Sequence, residues 1–211
     1  MSAHILRALK MAQDAGYPVE LNLNGLKVEY AHTRPYRGMK LEDIEILHAL
    51  HEWKVEADYS SAVRLLEPFV RQLEQKEDSL ANRNKYYRPL SYLKEKLLLW
   101  EIKQQVDSVN VGDSVRPYLK KDMLEGVYCD DGRRTYYWEG NQMINTLIAY
   151  RIIKNDPSLC KLKENMQLYI LRTKERGWNT YQASSAVATV LTDLLAGSGG
   201  MSGTSVSVSG K

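Results

Sequence analysis

The pair His48-x-x-His51 is the first place where side-chain types and spacing could support chemistry. On a helix, residues three apart share a face, so two imidazoles could reach one metal ion. Zinc needs further ligands, and the other histidines, His4 and His32, have no comparable context. A four-helix di-iron site needs two Glu-x-x-His motifs, and only Glu45 to His48 matches. We therefore interpret both histidines as structural and expect no metal site.

A second candidate is Cys129-Asp130-Asp131-Gly132, whose composition is typical of a turn. Its carboxylates could serve acid–base chemistry if a cleft raised the pKa of one of them. Glu139 could then face Asp131 across that cleft, as a glycosidase requires. Neighbours in sequence usually point apart, so we favour a solvated turn. The helical part of the sequence contains no nucleophile-elbow, dinucleotide-binding or Walker motif. The sequence thus predicts a protein that is not an enzyme and that needs no cofactor.

Aromatic residues precede two of the predicted helices and form the third candidate. In the favoured interpretation, each tryptophan covers a corner between helices while an Asn or Thr caps the helix that follows. The alternative is an exposed aromatic rim that binds a partner. The candidate binding residues are Tyr136, Tyr137, Trp138, Asn141, Trp178, Asn179 and Tyr181.

The composition of the 211-residue chain excludes several classes of protein. Lys and Arg total 29 and Asp and Glu total 26, so the net charge is +3, and acids alternate with bases along the chain. A nucleic-acid-binding protein would cluster its basic charge, so we expect no nucleic-acid partner. Hydrophobic residues make up 44% of the chain, which is enough for a packed core.

Targeting signals are not apparent in the sequence. No apolar run approaches the roughly 18 residues of a membrane span, so we do not expect direct membrane insertion. The first residues lead straight into an amphipathic helix without a signal-peptide pattern, so we expect a cytosolic chain or a piece of a longer exported protein. Two cysteines, Cys129 and Cys160, do not make a disulfide framework.

Hydrophobic periodicity predicts helix after helix over residues 1–196. Asp58 or Ser60 would cap the third helix, and Pro68 would kink it. The segment 19–32 reads as a hairpin around Asn24-Gly25 or as a short irregular helix, and the polar segment 79–88 reads as a loop. The predicted helices span 3–15, 40–54, 58–73, 90–106, 117–124, 141–153, 158–173 and 180–196.

These helices come mostly in antiparallel pairs, so the fold class is all-α, and a bundle, a solenoid or a toroid would satisfy the pattern. We treat residues 1–196 as one helical domain. Residues 197–211 contain five Gly and five Ser and read as a flexible linker. Val206 and Val208 alternate with serines there, which favours the start of a following β domain over a vector-derived or low-complexity end.

The last third of the chain resembles a known family. YWEGN at 137–141 leads into INTLIAYR at 144–151, and RGWNTYQASSA follows at 176–186. These runs resemble the C-terminal half of the thioester-type helical domain of bacterial alpha-2-macroglobulins. LLLWEI at 97–102 and the first helix are in keeping with it. The resemblance extends over most of residues 1–196.

The resemblance implies an α/α toroid inside a large protein of the periplasm or cell envelope. Family members trap attacking proteases, so the implied partners are neighbouring β-sandwich domains of the same parent chain and, through the parent, target proteases. Many members carry a Cys-(Gly/Leu)-Glu-Gln thioester, but neither Cys129 nor Cys160 matches that motif. The readable helices also fall short of twelve, so we expect an incomplete toroid.

The resulting prediction is a non-enzymatic helical domain that gives structural support to protease trapping. Two alternatives stay open. A glycan hydrolase or lyase on a similar α/α scaffold predicts Asp130, Asp131 or Glu139 converging in a deep cleft with a raised pKa. A helical-repeat scaffold for a peptide partner predicts an open superhelix with a concave aromatic groove.

Overall fold

The structure is a computed structural model that describes residues 3–14, 16–22, 39–135, 142–174, 177 and 186–197. In these ranges it is mostly helical, which confirms the predicted all-α class. None of the described helices is long and apolar enough to cross a membrane. The α-helices are α1 (Ala3–Asp14), α2 (Leu41–Glu52), α3 (Tyr59–Arg83), α4 (Leu93–Asp107), α5 (Gly112–Val115), α6 (Gln142–Ile153), α7 (Cys160–Thr173) and α8 (Thr192–Gly197).

Shorter elements connect these helices. Single 3₁₀ turns occupy Arg116–Tyr118 and Pro157–Leu159, and a π-helical turn at Val187–Leu191 precedes α8. Between α5 and α6, strand β1 (Leu119–Lys121) pairs antiparallel with strand β2 (Val127–Cys129).

Helix α4 lies at the centre of the main core, where it packs against α2, α3 and α6. Its apolar residues do not form a single stripe, because the three consecutive leucines at 97–99 point in three directions. A helix that is apolar on several faces must be covered on several faces. The buried side chains Leu93, Leu97, Leu98, Leu99 and Ile102 accordingly contact neighbouring helices on different sides.

Helix α6 is the second central element, and nearly all of its residues from Met143 to Ile153 are buried. It packs against α4, α7 and β2. A smaller core joins α1 to α2 through Leu6, Ala49 and Leu50. There the Trp53 indole Nε1–H donates to the Leu6 carbonyl oxygen at 2.8 Å, so an amphipathic ring covers the contact between the two helices.

The start of α3 confirms one predicted cap, since Asp58 accepts a hydrogen bond from the Ser61 backbone N–H at 3.0 Å. Its end is ten residues beyond the predicted one, so the predicted loop over 79–88 is wrong for residues 79–83. The last turns are held by tertiary contacts, because buried Glu77 accepts hydrogen bonds from the Tyr87 hydroxyl and the Leu90 N–H. The helix continues through Pro68.

The predicted helix over 117–124 is wrong, because this segment forms the first half of the β1–β2 hairpin. Leu119 pairs with Cys129, and Lys121 pairs with Val127. The turn is closed by Asp122, whose Oδ1 accepts hydrogen bonds from the N–H groups of Leu124 and Gly126. Side chain to backbone bonding of this kind favours a turn over a helix.

Several predictions lie outside the described residues. These are the hairpin or helix over most of 19–32, the first part of the helix over 180–196, and the linker and strand over 198–211. The described part of that last helix runs from residue 186 to residue 197. Closure of the helices into a ring stays a prediction.

Candidate functional site

The central ion-pair cluster, which consists of His48, Glu101 and Arg151, joins α2, α4 and α6 inside the main core. Arg151 donates from Nε to Glu101 Oε1 and from Nη2 to Oε2, both at 2.7 Å. His48 Nε2 lies 2.9 Å from Glu101 Oε2 and acts as the donor, because an ionised carboxylate only accepts. One buried carboxylate is therefore satisfied by two other helices.

Burial alone would raise the pKa of Glu101, but the Arg151 guanidinium and the His48 imidazole outweigh burial. They hold the pKa of this carboxyl below its ordinary value. Glu101 is thus a permanently ionised anchor, and it does not have the raised pKa that a general acid needs at neutral pH.

A second set of charged side chains connects α4 and α2 to the amino-terminal helix α1. Lys94 donates to Glu45 Oε1 at 2.8 Å, which joins α4 to α2. Arg7 on α1 is nearly buried, and its closest acidic partners are distant. Its Nη1 lies 3.8 Å from Glu45 Oε2, and its Nε lies 3.9 Å from Glu52 Oε2. Within the part of the chain that the structure describes, Arg7 Nη2 is buried without a hydrogen-bond partner.

A cavity of about 250 Å³ opens between α1, α2, α4, α6 and the turn that carries Thr189. Cationic side chains from three helices line it, together with leucines and isoleucines of α4 and α6. This arrangement could hold a small molecule with an acidic end and an apolar body.

The histidine pair does not form a metal site in the structure. The His48 ring is committed to Glu101, and the His51 ring packs edge-on against Tyr59 with centroids 4.9 Å apart. Burial lowers the pKa of His51, with the neighbouring His48 acting in the same direction. No group of three or more His, Cys, Asp or Glu side chains in the described ranges is placed to hold a metal ion.

The predicted solvated turn over Cys129 to Gly132 is wrong for Cys129, which is the buried last residue of β2, whereas Asp130 to Gly132 form a half-exposed bend after the strand. Asp130 accepts from Lys120 Nζ at 3.0 Å and from the Gly132 N–H at 3.0 Å. Burial alone would raise the pKa of Asp130, but these donors outweigh burial, so the pKa lies below its ordinary value. Asp131 accepts from the Ser91 hydroxyl at 2.7 Å. The adjacent carboxylates are thus held by separate local donors.

Burial raises the pKa of the Cys129 thiol to about 12, and the charges of Asp130 and Asp131 act in the same direction. The thiolate is the reactive form of cysteine, so this side chain is inert at neutral pH. The backbone N–H of Cys129 donates to Thr146 Oγ1 at 2.9 Å, which attaches β2 to α6. Cys129 is therefore a packing residue.

An acidic residue with a raised pKa lies at a position that the sequence analysis did not identify. Glu95, in the first turn of α4, is only 6% exposed. Burial raises its pKa to about 7, and the nearby charges of Glu45 and Asp131 add to the rise while Lys94 opposes it. The sequence feature that could have indicated the burial of Glu95 is the apolar character of α4 on several faces. A helix of this kind is covered on several faces, so its charged residues are buried as well.

The aromatic candidates Tyr136, Tyr137, Trp138, Asn141, Trp178, Asn179 and Tyr181 lie outside the described residues, as does Glu139. Their role in binding stays a prediction. No protein-family model, no curated protein and no solved structure matches this chain.

Proposed function

We propose that this chain is a non-enzymatic helical domain of a bacterial alpha-2-macroglobulin-like protein of the cell envelope, and that it supports protease trapping by packing against neighbouring β-sandwich domains. The similarity of 137–151 and 176–186 to the thioester-type helical domain supports the family. A strand over 204–209, as the sequence predicts, would connect this chain to a following β domain.

The hydrogen bonds and ion pairs that the acidic residues form support a structural role over a catalytic one. Glu101 and Glu45 join helices, and Asp130 and Asp131 hold turns. A hydrolase needs two carboxylates that face a substrate, one of them protonated. Glu95 has a raised pKa, but it is not among the residues that line the cavity between α1, α2, α4 and α6.

The observation that carries the proposal is the exposure of two apolar side chains at the tip of the β1–β2 hairpin. Met123 is fully exposed and Leu124 is 68% exposed, so two large apolar side chains project into solvent at the end of the turn. Turns of soluble domains are usually polar, and adjacent apolar side chains at a tip indicate a contact with another protein surface.

The tip is held firmly by the rest of the domain. Arg172 on α7 donates from Nη2 to both carboxylate oxygens of Asp122, at 3.1 and 2.9 Å. Asp122 in turn accepts from two backbone N–H groups of the turn. Pre-organisation of this kind lowers the entropy cost of docking. We therefore assign the tip as a contact with a neighbouring β-sandwich domain.

The test uses the full-length product of the gene that encodes this chain. It is mixed with an endopeptidase, and the protease is then assayed on a protein substrate and on a small chromogenic peptide. Trapping predicts that cleavage of the protein substrate falls while cleavage of the peptide continues. Equal cleavage of both substrates with and without the parent protein would refute the proposal, as would release of reducing sugar from glycans by the parent.

A paired variant tests the hairpin contact in the same protein. Met123→Ser together with Leu124→Ser is expected to loosen the domain from its neighbour, which limited proteolysis of the linkers would detect. Leu65→Ser on α3 is the matched control, because Leu65 is similarly exposed at 61% and lies on another element. Equal proteolysis of both variants and the wild type would exclude the tip as a contact.

A further inference from the structure

The lining of the cavity between α1, α2, α4 and α6 combines two kinds of side chain. Arg7 and Lys10 of α1, Lys94 of α4 and Arg151 of α6 are cationic. The aliphatic residues of the lining are Leu98, Ile144, Leu147 and Ile148. A ligand that contacts both kinds has a negative end and an apolar body.

The charges around the cavity favour a negative ligand. Lys94 and Arg151 are paired with Glu45 and Glu101, but neither of these carboxylates lines the cavity. The acidic residues that do line it are Glu52 and Asp14, and Asp14 is an exposed residue that pairs with Lys10.

Arg7 has hydrogen-bonding capacity that the described residues leave unused. Its side chain is only 8% exposed, and both of its ion pairs, to Glu45 and Glu52, are longer than a hydrogen bond. Its Nη2 is buried without a hydrogen-bond partner among the described residues. An unsatisfied buried donor is costly, and the cost is larger for a charged group. A ligand carboxylate beside the Arg7 guanidinium would supply the close negative charge that Glu45 and Glu52 do not.

We propose that this cavity binds a small organic monocarboxylate, with its carboxylate at Arg7 and Lys10 and its apolar body against α4 and α6. A guanidinium suits a carboxylate because the two groups form parallel hydrogen bonds. A volume of about 250 Å³ lies below the roughly 300–1,000 Å³ of pockets for drug-sized ligands, so the ligand is of the size of hexanoate or benzoate. The inference is independent of the proposed role in protease trapping.

The first experiment titrates the whole 211-residue chain with hexanoate and, as a neutral analogue of the same shape, with hexanamide. Methyl-labelled NMR spectra follow the isoleucine and leucine side chains. The proposal predicts saturable shifts of the Ile144, Leu147 and Ile148 methyl groups with hexanoate, and binding at least about tenfold weaker with hexanamide. Absence of saturable shifts with millimolar hexanoate and benzoate, or equal binding of the amide, would overturn it.

The second experiment replaces the arginine by methionine, which keeps the apolar stem and removes the charge. Arg7→Met is expected to weaken hexanoate binding by about tenfold or more. Arg64→Met, at an exposed position on α3, is the matched control and is expected to bind as the wild type does. Unchanged binding by a folded Arg7→Met variant would overturn the proposal. If that variant does not fold, the proposal is tested by comparing the binding of hexanoate and hexanamide to the wild-type protein.

Discussion

The Arg151 guanidinium donates two hydrogen bonds of 2.7 Å to the Glu101 carboxylate, and this pair joins α4 to α6 in the main core. Both side chains come from helices that supply many apolar residues to the main core. The pair is completed by His48 from a third helix. Its position predicts that loss of one member costs much more than loss of a surface ion pair.

Arg151→Met is expected to destabilise the protein by about 3–5 kcal/mol, because it leaves the Glu101 carboxylate buried beside a single partner. Addition of Glu101→Gln should recover a large part of that loss, since the double variant has no uncompensated charge. Urea unfolding followed by circular dichroism measures both values. Additive effects of the two substitutions would contradict the coupling, and Arg64→Met serves as the exposed control.

The lowered pKa of Glu101 has a consequence for acid stability. Because the folded-state pKa lies below the ordinary value of 4.5, the folded state binds this proton less tightly than the unfolded state does. Its stabilising contribution is complete above about pH 4.5 and is lost as the pH falls below it. The double variant Glu101→Gln, Arg151→Met should therefore lose less stability between about pH 5 and pH 3 than the wild type does.

Glu95 predicts the opposite dependence on pH. Its folded-state pKa of about 7 lies above the ordinary 4.5, so its contribution is most favourable below about pH 4.5 and is lost as the pH rises through about 7. The difference corresponds to about 3 kcal/mol. Glu95→Gln should stabilise the protein by up to this amount at about pH 8 and change little at about pH 4. Chemical unfolding at both pH values tests this, with exposed Glu20→Gln as the control.

The two cysteines should differ sharply in reactivity. Cys129 is buried with its pKa raised to about 12, whereas Cys160 is exposed at the start of α7. Mass spectrometry after iodoacetamide treatment of the native protein should show one modified thiol, at Cys160, and two after unfolding in urea. Cys160→Ser should abolish labelling of the native protein. Rapid native labelling of Cys129 would show that β2 is not packed against α6.

The hairpin turn should be sensitive to a single methyl group at Gly126. A Cβ there would lie 2.3 Å from Arg172 Nη2 and 2.9 Å from Asp122 Oδ2, so Gly126→Ala must displace the ion pair that holds the turn. We expect a cost of about 1 kcal/mol, in the range of a partly exposed ion pair. In an Arg172→Met background the same substitution should cost less, and an equal cost in both backgrounds would refute the explanation. Thermal melts measure both.

Periodicity predicted most helices because their buried faces are set by residues close in sequence. It failed where distant contacts decide the structure. Residues 119–121 form a strand because 127–129 lie opposite them, and 79–83 stay helical because Glu77 accepts hydrogen bonds from residues 87 and 90. Neither the strand pairing nor the Glu77 contacts can be inferred from the local sequence.

The central ion-pair cluster could be predicted only in part. The apolar character of α4 implies that Glu101 is buried, and a buried carboxylate needs a partner. The identity of that partner depends on how α6 packs, which the sequence does not specify. The contact of the His48 ring with Glu101 could not be predicted either, because its spacing from His51 indicates only which residues share a face of α2.

The long sequence separation within this cluster bears on synthesis by the ribosome. His48 precedes Glu101 by 53 residues, and Arg151 follows it by 50. A nascent chain that has released α1 to α4 holds an acid whose strongest counter-charge has not yet been translated. We therefore expect the emerging amino-terminal half to stay loosely collapsed, and the tertiary structure to consolidate only after α6 has left the exit tunnel.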